Sequence, residues 1–159
     1  MKSNVRFIMS ASAVAAVYVA LTLISSMMGL SSGVIQVRFS EALSVLPIFM
    51  PAAVPGLFVG CLVANLLTGS ILIDVVFGSV ATLIGAVLTY KMRGNKWLAI
   101  LSPILSNTLI LPFVLKFAYG FSGSVLYFMA TIFLGEVISC GVLGYALYKV
   151  ILRRKIYFK

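Results

Sequence analysis

The chain has 159 residues, 62% of them hydrophobic and 9% charged, with a net charge of +9. Soluble domains are about 45–50% apolar and about 25% charged, so this composition excludes an ordinary soluble fold and defines an integral membrane protein. The length suits a single transmembrane domain over 1–159, and no repeat, low-complexity linker or soluble module interrupts it.

A bilayer core of about 30 Å takes roughly 20 helical residues. The first apolar run, 7–28, meets that length. Its basic start and the "ASA" at 11–13 resemble a secretory signal, but the ASA precedes the hydrophobic stretch, so a spanning helix is expected. The next stretch, "IQVRFSEALSVLPIF" at 35–49, places Arg38 and Glu41 three apart in apolar surroundings. Residues 40–70 then carry Pro47, Pro51 and Pro55. Clear spans follow at 72–90, 97–116 and 122–150, with the polar loop "KMRGNK" at 91–96 between the first two. Long apolar runs without period-2 alternation exclude a β-barrel.

Charge placement sets the topology. Ten of the twelve basic residues fall in three clusters: Lys2 and Arg6; Lys91, Arg93 and Lys96; and Lys149, Arg153, Arg154, Lys155 and Lys159. Clusters of this kind mark cytoplasmic loops, and the terminal one is placed to meet anionic lipid. Nothing in this pattern points to nucleic acid. Both termini basic means both cytoplasmic, hence an even number of spans. Six spans also put 91–96 inside. Parity therefore predicts a break at "PAAVPG", 51–56, with short helices over about 40–51 and 56–70, since proline removes a donor and disfavours helix before it. The connections 29–39 and 117–123 are then outer lids. The expected fold is an all-α bundle of six transmembrane helices with N and C termini cytoplasmic.

Ionisable groups inside a membrane cost about 2.5–3.5 kcal/mol each at a helix centre on insertion scales and are functional candidates. On this topology Glu41, Asn65 and Asp74 lie near the outer face. Asn107 lies mid-span, and Glu136 fourteen residues into the last span. All occupy the outer half or midplane and can line one pocket, with Arg38 over its mouth. The alternative is polar glue between helices. Cys61 and Cys140 read as small hydrophobes in helix interfaces. With no histidine and no Cys-x-x-C, no metal site is expected. No phosphate loop, Ser-x-x-Lys or Gly-x-Ser-x-Gly is present, so the chain is not an enzyme and carries no ATPase motif. Small residues spaced by four in the first span, Ala11, Ala15, Ala16 and Ala20, permit close helix approach. They serve either packing within the bundle or docking of another membrane protein.

"IQVRFSEALSVLPIF", "VPGLFVGCLVANLLTG" and "DVVFGSVATLIGA", in this order and spacing, closely resemble the QueT family of queuosine-precursor transporters. These are S components of energy-coupling factor (ECF) transporters. The resemblance runs over nearly the whole chain and is densest at 35–86. It implies six membrane helices, an outward substrate pocket, a bacterial cell membrane, and no cofactor. It implies docking onto an EcfT-type coupling subunit through Ala11, Ala15, Ala16 and Ala20, with two EcfA-type ATPases supplying energy. The implied substrate is a 7-deazaguanine or queuine. For such a ligand Glu136 or Glu41 would take the guanine edge, and Asp74 or the other glutamate an aminomethyl cation. Asn65, Asn107 and Arg38 would complete the hydrogen bonds, and Tyr127 or Phe39 would stack on the ring. Rival readings are an S component for another metabolite, such as a vitamin, or a stand-alone membrane scaffold or channel.

Overall fold

The computed structural model describes residues 2–31 and 35–154, with side chains from Asn4 onward. Residues 32–34 of the expected outer lid 29–39, the Lys2 side chain, and Lys155 and Lys159 of the basic tail lie outside the described residues.

Every described element is helical. They run α1 (Lys2–Met27), a 3-10 helix (Phe39–Ile48), α2 (Ala53–Leu67), α3 (Leu72–Lys91) and α4 (Lys96–Phe113) with a π-helical extension (Val114–Ala118). Then follow α5 (Val125–Glu136), a second π segment (Val137–Leu143) and α6 (Gly144–Arg153). Among the described residues, four stretches are long and apolar enough to cross a membrane: Asn4–Met27, Leu72–Lys91, Lys96–Ala118 and Val125–Arg153. The 3-10 helix and α2 are shorter.

The proline-rich region does break in two, but earlier than 51–56. The interruption falls at 49–52, and Pro55 sits inside the first turn of α2. Proline is tolerated there because first-turn N–H groups have no intrahelical partner. The first half is also not α-helical. Runs of 3-10 helix beyond three or four residues are uncommon, yet this one covers 10 residues with Pro47 inside. At about 2.0 Å rise per residue it reaches about 20 Å, against about 15 Å for the same residues as α-helix. Its first backbone donors are taken by side chains from elsewhere. Ser139 Oγ accepts from Arg38 N at 3.1 Å, and Ser25 Oγ from Phe39 N at 2.9 Å.

This 3-10 helix is the centre of the bundle. Ser40, Glu41, Leu43, Ser44, Val45, Leu46 and Pro47 are all buried, and it packs against α1, α3, α6 and the second π segment. Leu43 and Leu46 join Val14, Leu57 and Ala64 in one apolar cluster, while Val45 joins Ile100, Ile104 and Cys140 in another.

Close approach of α1 to α2 rests on glycine. A Cβ on Gly56 would lie 2.6 Å from the Ala11 carbonyl oxygen, and one on Gly60 would lie 2.8 Å from Tyr18 Cβ and 3.1 Å from Ala15 Cα. Ala11 and Ala15 are thus spent on packing inside the bundle. Ala16 and Ala20 face outward and are exposed. Of the four-residue stripe, Ala11 and Ala15 therefore serve packing within the bundle, and Ala16 and Ala20 do not pack against α2.

Candidate binding site

The short central helix, α1, α3, α4 and the α5–α6 rod enclose a cavity of about 540 Å³. That lies within the roughly 300–1,000 Å³ typical of small-molecule sites. Arg38, Glu41, Asp74, Asn107, Tyr127 and Glu136 line it. Asn65 stands behind Arg38 and accepts from its Nη1 at 3.3 Å. The structure thus brings together all seven pocket residues singled out in sequence. Phe39 is not in the lining.

The floor is a carboxylate pair. Asn107 Nδ2 donates to Glu136 Oε1 at 2.7 Å, and Cys140 Sγ donates to Glu136 Oε2 at 3.1 Å. Tyr18 donates its hydroxyl to Glu41 Oε1, and Ser44 donates to Glu41 Oε2 at 3.2 Å. Ligating atoms of Glu41, Glu136 and Cys140 all lie within 4.8 Å of one another. Two buried carboxylates this close repel unless a cation or hydrogen-bond donors stand between them. A primary ammonium bonds carboxylates at about 2.8 Å, so one such group reaches across this separation.

Arg38 is not salt-bridged to the pair. It forms no ion pair with Glu41 among the described residues, and the two are joined only through the backbone, where Glu41 N donates to Arg38 O at 3.2 Å. Its guanidinium turns to Asn65, and its backbone N–H to Ser139. Asp74 is also engaged elsewhere: Tyr119 Oη donates to its Oδ2 at 2.9 Å. Tyr119 stacks on Phe121 with centroids 5.6 Å apart, across Gly120 at φ 67°. This turn, part of the expected lid at 117–123, closes onto the first turn of α3. Burial, reinforced by the Asp74 hydrogen bond, raises the pKa of the Tyr119 hydroxyl above its ordinary value.

Tyr127 lines the cavity while half exposed, its ring edge-on to the buried Phe128 at 5.7 Å. The sequence reading missed Tyr18, Ser139, Cys140 and Tyr119. Tyr18 lies within a run of apolar residues and carries no spacing signal. Cys140 was legible as i+4 from Glu136 on one helix face, but read as packing. Cys61 likewise lines the cavity, and its sulfur accepts from Thr82 Oγ1 at 3.3 Å.

A helical membrane bundle holding a polar cavity of metabolite size around two carboxylates belongs to the class of multi-pass membrane transport proteins. The family model for the QueT transporter matches residues 8–153, and the chain belongs to that family. It is a multi-pass transport protein of a bacterial cell membrane. No curated protein and no solved structure matches it at a significant level.

Proposed function

We propose that the chain is the substrate-binding S component of an ECF-type importer and captures a queuosine precursor of 7-deazaguanine or queuine type from outside. It crosses the membrane six times with both termini cytoplasmic, and an EcfT-type coupling subunit with two EcfA-type ATPases drives uptake. The observation that carries this reading is the carboxylate pair Glu41–Glu136 meeting Asn107 inside the cavity. A guanine edge presents adjacent N–H donors that a carboxylate accepts in bidentate fashion, and its carbonyl suits an amide or guanidinium donor. With Glu136 held by Asn107 for the ring edge, Glu41 is positioned for an aminomethyl ammonium. Arg38 and Asn65 complete the polar wall, Asp74 holds the rim, and Tyr127 offers a ring face for stacking. Ala16 and Ala20, on the outward side of α1, are the part of the alanine stripe open to the coupling subunit.

The test is thermal stabilisation of purified protein by queuine and its precursors, against riboflavin and biotin. A ligand that binds only the folded state raises its stability with concentration. Selective stabilisation by a deazapurine, weakened more than tenfold in concentration dependence by Glu136→Gln, is the expected result. Stabilisation by a vitamin alone would transfer the site to another metabolite. Copurification of ATPase subunits separates the S component from a stand-alone scaffold or channel.

A further inference from the structure

All three acidic residues of the chain, Glu41, Asp74 and Glu136, line the cavity. The opposite end of the bundle, where α3 ends and α4 begins, carries Lys91, Arg93, Lys96 and Lys149 with no acid to balance them. Two of these cations rest against aromatic rings. Lys96 Nζ lies 5.9 Å and Lys149 Nζ 4.9 Å from the centroid of one ring, Tyr145. Lys96 is also 5.2 Å from the Trp97 ring, which stacks on Tyr145 at 5.3 Å and is 60% exposed. Tyr145 in turn stacks on Tyr148, and Tyr148 meets Phe49. Arg93 covers Tyr90 at 4.7 Å.

Both ammonium groups contact the same ring, and the described residues supply neither with a counter-ion. The aromatic ladder is of the kind that settles at the headgroup level of a bilayer, where anionic lipid attracts basic side chains. We infer that Lys96 and Lys149, mounted on Tyr145 and Trp97, form a binding site for the phosphate of an anionic phospholipid. The phosphate bridges the two ammonium groups, and Trp97 lies along the glycerol and upper acyl region.

The experiment adds phosphatidylglycerol or phosphatidylcholine with identical acyl chains to the detergent-purified chain and reads the thermal midpoint. Phosphatidylglycerol is expected to raise the midpoint at least twice as far. Lys96→Gln/Lys149→Gln should abolish that excess, whereas Lys96→Arg/Lys149→Arg and Lys116→Gln should keep it. If the double glutamine variant does not fold, Lys149→Gln alone should halve the excess. Equal shifts from the two lipids, or a full excess in the glutamine variants, would overturn the proposal. So would the whole excess appearing with inorganic phosphate alone, which would make the site one for free anion.

Discussion

Tyr18 of α1 donates its hydroxyl to Glu41 of the central 3-10 helix, 23 positions away in sequence. Tyr18 is 1% exposed, and its ring packs in the apolar cluster that joins α1 to α2. The same helix turns Ala16 and Ala20 outward. One side chain therefore ties the cavity wall to the peripheral helix. Tyr18→Phe keeps the ring and removes one donor from Glu41. Polar contacts between membrane helices contribute about 0.6–2 kcal/mol. A loss of that size in thermal or denaturant stability is expected, with weaker ligand binding by several-fold. Wild-type values in both measurements would show the bond to be idle.

Asn107 and Glu136 should behave as one unit. Asn107→Ala leaves the buried Glu136 short of a donor, at a cost of about 1–3 kcal/mol. In Glu136→Gln that cost should fall, because a buried amide oxygen left one donor short costs less than a carboxylate oxygen. A double-mutant cycle on stability should give a coupling of about 0.5–2 kcal/mol. Strict additivity would mean that the 2.7 Å contact contributes nothing.

Two glycines should resist substitution for different reasons. Gly60→Ala forces α1 off α2 and should cost about 1–3 kcal/mol by overpacking. Gly135→Ala drives a methyl into the Gln36 carbonyl oxygen, so the 35–38 segment beside the cavity must move. Its effect should fall more on ligand affinity than on the thermal midpoint. Gly94→Ala, which meets nothing within 4 Å, is the neutral control.

The Tyr119–Asp74 latch should open in alkali. The folded-state pKa of Tyr119 is raised, so the folded protein holds this proton more tightly than the unfolded chain. The latch's contribution is complete below the ordinary tyrosine pKa of about 10 and is lost as pH rises through the higher folded value. The midpoint gap between wild type and Tyr119→Phe should stay constant from about pH 7 to 9.5, then close above about 10. A gap independent of pH across that range would remove the latch.

The sequence alone carried the membrane class, the break in the proline region and the set of polar residues that converge. These follow from quantities local to the chain: run length against bilayer thickness, charge clustering, and the cost of each buried polar group. Residues 35–86 also carried the family resemblance. Partnership was not legible. Arg38 and Glu41 are three apart, yet the 3-10 geometry gives Arg38 to Asn65 and Glu41 to Tyr18 and Ser44. Ala11 and Ala15 share a spacing with Ala16 and Ala20, yet only the glycines of α2 decide which pair packs against it. Spacing along a helix fixes a side chain's direction around its own axis. What stands in that direction is set by the other helices, and only the tertiary structure brings Glu41 and Glu136, 95 positions apart, to one cavity floor.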